Sequence, residues 1–133
     1  MRKLGLALFL TLLGFAPAQA QPVIPLTQAS IPITISTATT TQLVALKAGQ
    51  SIYVTSISII AAGTGNIQLV YGTGTACATG QGNVTGNYSL TTQVGFTLGN
   101  GSGVVLVVPQ GAALCAVTSG AVGMPGSLSY AQF

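Results

Sequence analysis

The sequence predicts an all-β fold, an antiparallel β-sandwich of jelly-roll type with about eight or nine short strands. Three observations point there. Apolar residues come in short bursts separated by glycine, serine, threonine and asparagine. Inside many bursts β-branched and aromatic residues alternate with polar ones, the period of a half-buried strand. Turn residues recur about every ten positions, and no segment keeps a helical period with caps.

The chain starts with a segment of another kind. Arg2 and Lys3 precede the apolar run "LGLALFLTLLGFA", Leu4 to Ala16. That run is short of the roughly 20 residues a spanning helix needs. "PAQA" follows and puts Ala18 and Ala20 at the small-residue positions of a cleavage site. The expected organisation is a signal peptide over residues 1–20, an extended N-terminal segment or edge strand over 21–36, and a sandwich domain over 37–133. No cysteine stands directly after Ala20, so a lipid anchor is not expected. No later run approaches a membrane span. The expected location is secreted, periplasmic or at the cell surface.

Each element follows in order. "QPVIPLTQAS" carries Pro22 and Pro25, which fix φ and remove donors, so it reads as extended and outside any central strand. In "IPITIST" Ile31, Ile33 and Ile35 alternate with polar residues, and Pro32 places the strand at an edge or start. A strand around Gln42 to Leu46 leads to a turn through Lys47 to Gln50. "SIYVTSISIIA" is the strongest strand signal. A regular strand would put Tyr53, Thr55, Ile57, Ile59 and Ala61 on one face and Ile52 and Val54 on the other, which suggests a bulge near Thr55. After "AGTGN", the strand "IQLVY" reads as the second arm of a hairpin.

"YGTGTACATGQGNVTGNY", Tyr71 to Tyr88, is rich in glycine and threonine. As a phosphate loop it fails: no Lys follows a final glycine, and no helix follows to supply a Rossmann turn. It reads as a surface loop pinned by Cys77. "NYSLTT" and "VGFTL" read as short strands. "VVLVV", Val104 to Val108, reads as a strand buried on both faces, because it is continuously apolar. "AALCAVT" is a strand holding Cys115, "GAVGMPG" a loop, and "SLSYAQF" a final alternating strand with Leu128 and Tyr130 on one face.

The charge pattern removes whole classes of function. The 133-residue chain has three basic residues and no Asp, Glu or His. Past Ala20, Lys47 is the only charged side chain. No basic patch exists to neutralise phosphates, so no nucleic-acid partner is expected. Attraction to an anionic membrane is likewise not expected once the signal is removed. A Ser-His-Asp triad, a carboxylate pair and a Cys–His pair cannot be built. No metal or other cofactor is expected, since carboxylate and imidazole ligands are missing. Lys47 lies in the turn "LKAGQ", where solvation is the simplest reading. The chain is therefore expected not to be an enzyme, and no catalytic residue is assigned.

Cys77 and Cys115 are the only cysteines. In an oxidising compartment an even pair forms a disulfide, with free thiols or an intermolecular link as the alternatives. Triplets at Asn83, Asn87 and Asn100 fit the N-glycosylation pattern but arise easily by chance in such a composition.

The runs "IQLVYGTGTACATGQGNVTGNYSL", "LGNGSGVVLVVPQGAALCAVTSGAV" and "GSLSYAQF" resemble a family of small exported and phage-associated jelly-roll-like β proteins of uncharacterised function. The resemblance covers residues 37–133. It implies a β-sandwich and a non-enzymatic role, and it transfers no binding residues. A signal peptide departs from virion proteins assembled in the cytoplasm and favours an exported relative.

Two functions fit. The first is a structural or surface-assembly subunit outside the cell, self-associating because charge repulsion is absent. The second is a binding module for a glycan or a host surface, using Tyr71, Tyr88 and the polar loops. Because no carboxylate or imidazole side chain exists, only the basic and tyrosine side chains, the termini and any free thiol can titrate, and stability is expected to be nearly insensitive to pH from about 4 to 9. Urea midpoints at pH 5 and pH 7 are expected to coincide; a steep shift between them would contradict this reading.

Overall fold

The computed structural model describes residues 28–133. The expected signal peptide and residues 21–27 lie outside them. Ten strands are present: β1 (Ala29–Ile35), β2 (Thr40–Val44), β3 (Ile52–Ile60), β4 (Gly65–Thr73), β5 (Thr79–Asn83), β6 (Tyr88–Leu90), β7 (Gly95–Leu98), β8 (Leu106–Val108), β9 (Ala113–Thr118) and β10 (Met124–Gln132). A single 3-10 turn, Thr75–Cys77, is the only helical element among the described residues.

The strands form two antiparallel five-stranded sheets. Sheet I has the order β1-β10-β3-β7, with β8 also on β3; sheet II has β2-β9-β4-β5, with β6 also on β4. β7 pairs with Ile57–Ile60 and β8 with Ile52–Val54, so the two share one flank of β3. β5 and β6 share one flank of β4 in the same way. Counting each shared flank once leaves eight strand positions. The pairs β1–β10, β2–β9, β3–β7/β8 and β4–β5/β6 are nested, like rungs of one long hairpin with its tip at the 3-10 turn. The lateral pairs β10–β3 and β9–β4 roll that hairpin into two sheets, which is the jelly roll.

β3 shows why the fold closes. In its ladder with β10, Val54 faces Tyr130 and Ser56 faces Ser129, leaving Thr55 unpaired. This is the bulge expected near Thr55. It turns Ile52 and Val54 to the same inner face as Ile57 and Ile59, and all four are fully buried. Thr55 is itself buried and donates its hydroxyl to the Ser129 carbonyl (3.2 Å). The core between the sheets adds Ile33 and Ile35 of β1, Ile67 and Leu69 of β4, Leu114 of β9, and Met124 and Leu128 of β10.

Several expectations need correction. β3 and β4 are not a hairpin: they lie in opposite sheets, joined by an arch, because each presents its own apolar face to the core from opposite sides. The glycine-rich stretch is not all loop, since β5 runs through it. "VVLVV" is not buried on both faces. Only Leu106–Val108 is strand, at an edge, and Val104, Val105 and Val107 are 44%, 40% and 55% exposed. The strand buried on both faces is β9, because the turn carrying Cys77 folds over its outer side. Met124 and Pro125, expected in a loop, begin β10.

That outer cover is fixed covalently. Cys77 and Cys115 form a disulfide across a sequence separation of 38 residues, with Cα atoms 6.3 Å apart. Val70 faces Cys115 in the β4–β9 register and completes a small second core with Ala113. Ala76 and Cys77 take left-handed φ values of 51° and 58°. Such values cost non-glycine residues roughly 1 kcal/mol each. Glycine at position 72 is required, because a Cβ there would come within 2.8 Å of the Cys77 carbonyl.

Two outcomes are expected in urea unfolding. Replacing both cysteines (Cys77→Ala with Cys115→Ala) lowers stability by about 2–5 kcal/mol while the strand signal in circular dichroism stays; a loss under about 0.5 kcal/mol would show that the apex does not need its crosslink. Gly126→Ala drives a Cβ into the Ser58 carbonyl and costs about 1–3 kcal/mol. Gly86→Ala meets nothing within 4 Å and stays within about 0.5 kcal/mol of the parent.

Candidate interaction surface

The aromatic residues expected to bind a ligand are occupied in packing. Tyr71 and Tyr88 are half-buried against the main core. The Tyr71 ring lies over Gly82, where any Cβ would strike it. Tyr88 faces inward from β6 and stacks on Phe96 of β7, with ring centroids 4.6 Å apart and planes at 18°. β6 belongs to sheet II and β7 to sheet I, so this stack bridges the sheets at their shared margin. The structure therefore does not bring Tyr71 and Tyr88 together on an open face.

The exposed aromatic pair is a different one. Tyr53 of β3 stacks on Phe133, with centroids 4.5 Å apart and planes at 14°. Phe133 is 49% exposed and is held by paired backbone bonds with Ser51 (2.9 and 3.3 Å). On the other flank of Tyr53 lies Val107, its register partner in β8. Val104 and Val105 lie just before β8, and the Val105 N–H donates to the Val54 carbonyl (2.8 Å). Val107, Tyr53 and Phe133 thus form a continuous apolar strip on the outer face of sheet I, with two more valines at its margin. Sequence reasoning missed it because "VVLVV" has the composition of a buried strand and Phe133 stands at the end of a strand pattern. The one available signal was the short polar turn on each side of "VVLVV", which suits an edge.

The rest of the outer face of sheet I is uncharged and largely hydroxylated, with Ile60, 54% exposed, on it as well. The register sets Ser30, Ser129 and Ser56 on one rung and Pro32, Ser127, Ser58 and Thr97 on the next. Ser58 and Thr97 hydroxyls lie 3.1 Å apart. Lys47 is exposed in its turn, where its carbonyl accepts the Gln50 N–H (3.1 Å). The three Asn triplets place Asn83, Asn87 and Asn100 on the surface, and Asn100 Oδ1 accepts the Ser102 N–H (3.0 Å).

Among the described residues there is no group of three or more His, Cys, Asp or Glu side chains that could hold a metal, and no pocket is formed. What the surface offers chemically is apolar contact beside an open strand edge. Comparison of the chain with models of protein families, with curated proteins and with solved structures finds no match.

Proposed function

We propose that the protein is a non-enzymatic structural subunit that works outside the cytoplasm and assembles with copies of itself along the β8 edge of sheet I. The carrying observation is the strip of Val107, Tyr53 and Phe133, flanked by Val104 and Val105, beside an edge strand with no charged residue on it. Edge strands are normally guarded by lysines, inward charges or prolines, because an open edge pairs readily with another chain. β8 has only Pro109 directly after it. A chain with Lys47 as its sole charge past residue 20 also lacks the repulsion that keeps like molecules apart. The disulfide is compatible with an extracellular location, as is the fact that no helix of the described residues is long and apolar enough to cross a membrane. The resemblance to exported and phage-associated jelly-roll-like proteins implies a non-enzymatic role.

The alternative is a module binding a glycan or a host surface. Its aromatic platform would be Tyr53 and Phe133, since Tyr71 and Tyr88 are engaged in packing.

Analytical ultracentrifugation separates the two. The protein is expected to show an apparent mass that rises with concentration and is insensitive to salt, because no ion pairs hold the contact. Val107→Lys is expected to keep the unfolding free energy within about 0.5 kcal/mol of the parent's and to remove the association. A parent that stays monomeric at high concentration defeats the assembly reading and leaves the binding module.

A further inference from the structure

The strand edges of the two sheets are not equally fit to receive β8 of a second copy. Among the described residues the sheets end in four flanks: β1 and β7/β8 in sheet I, β2 and β5/β6 in sheet II. β1 carries Pro32 at its centre, opposite Ser127 of β10. β10 is its only strand partner there, and an edge strand accommodates a proline where the nitrogen faces the unpaired side. The same alternation puts the donors of Ser30 and Thr34 on that side, about 13 Å apart, with the pyrrolidine ring between them. β2 is interrupted by a register shift between Gln42 and Val44. β5 carries the left-handed Gly80 (φ 61°), and its ladder shifts between Tyr71 and Thr73 of β4. The exposed side chain of β6 is the polar Ser89, and β7 exposes Gly95 and Thr97. β8 has no such break within it, and its exposed side chain is the apolar Val107.

We infer that β8 pairs with β8 of a second copy about a two-fold axis at Val107, and that Pro32 stops the assembly at two copies. The inference rests on the proposed assembly along β8 and names the surface that β8 meets. Val107 is the middle residue of the strand. An axis there, perpendicular to the sheet, sets Val107 against Val107 of the second copy and Leu106 against Val108 in both directions. All three residues then pair, and both outer faces stay on one side. A slip by one residue would set an outward side chain against an inward one. The same axis joins the two apolar strips. Tyr53 faces Val107 across the β3–β8 ladder, and Phe133 stacks on Tyr53, so the strip runs across the strands and reaches the edge at Val107. Two copies related at that point carry one unbroken row from Phe133 to Phe133, and each Val107 shields the other. A head-to-tail contact would instead need β8 on a different edge of the next copy, and it would repeat without closing. In sheet I that edge is β1, where Pro32 withholds the central donor. The two-fold contact occupies both β8 edges and leaves the two Pro32 edges outermost. Three paired residues make a small contact, so association is weak and set by concentration.

Sedimentation and crosslinking test the contact together. The mass of the parent protein is expected to rise with concentration to twice the monomer and to stop there. Val107→Cys is expected to crosslink to itself under a copper–phenanthroline oxidant, since directly opposed residues of an antiparallel pair lie about 4.5–5.5 Å apart at Cα, within the span of a disulfide. The Cys77–Cys115 bridge is fully buried and stays out of the exchange. Thr34→Cys, on the edge that carries Pro32, is expected to remain uncrosslinked. Pro32→Val is expected to keep the strand signal in circular dichroism and to form species larger than two copies. A crosslink through Thr34→Cys, alone or mixed with Val107→Cys, overturns the two-fold contact, as does a parent that passes twice the monomer mass into a continuous series. A folded Pro32→Val variant that stops at two copies overturns the role of Pro32. Association of the parent without the Val107→Cys crosslink defeats this inference and leaves the assembly reading standing, whereas a parent monomeric at every concentration defeats both.

Discussion

The antiparallel ladder between β3 and β10 is the constraint on which the rest of the molecule depends. It joins residues about seventy positions apart and makes the two central strands of sheet I, so neither β1 nor β7/β8 has a partner without it. Its geometry hinges on the unpaired Thr55. Without that extra residue, Ile52 and Val54 would face solvent while Ile57 and Ile59 faced the core, since a strand alternates strictly. The buried Thr55 hydroxyl bonds to Ser129 on the partner strand, and its carbonyl receives Gly101 from the β7–β8 loop. One irregular residue therefore aligns four isoleucine and valine side chains and fixes where the edge strand breaks. Pairing so remote in sequence carries a loop-closure cost that slows folding.

The second break shows how a chain without carboxylates or imidazoles satisfies its polar groups. Between β5 and β6 the edge of β4 would leave the Leu69 N–H unpaired. Thr85 fills the gap: its hydroxyl accepts that N–H (3.0 Å) and donates to the Gly86 carbonyl (2.9 Å). Thr118 works similarly under the β1–β2 connection, with its hydroxyl 2.6 Å from the Thr37 carbonyl and 3.2 Å from that of Thr39. Threonine thus serves here as a hydrogen-bonding patch for irregular backbone as well as a residue of high β propensity. Gln50 Oε1 is the one buried side-chain polar atom left without a partner among the described residues.

The disulfide and the exposed strip mark opposite treatments of the two outer faces. On sheet II the hairpin apex folds back, buries Val70, Ala113 and Cys115, and is locked in place. Among the described residues sheet I has no such fold-back, and its outer side carries hydroxyl side chains between the exposed Ile60 and the apolar strip around Tyr53. The asymmetry leaves the described residues with one covered outer face and one that carries an exposed apolar strip.

What the sequence determined by itself was what short-range physics fixes. The all-β class came from period two and β-branched composition, the bulge from the clash of faces within "IYVTSISII", and the absence of charge chemistry from residue counts alone. The pairing of Cys77 with Cys115 needed only the compartment rule, because two cysteines allow one intramolecular bond. Tertiary structure alone decided where each strand sits. Nothing within "VVLVV" says that it lies at an edge while "ALCAVT" lies at the centre, because apolar composition is equally suited to both until a neighbour covers one face. Tyr71, Tyr88 and Tyr53 all stand in β-strands, yet the first two turn inward and the third outward. The side a tyrosine faces depends on register against a strand tens of residues away, and that register exists only once the hairpin has rolled up.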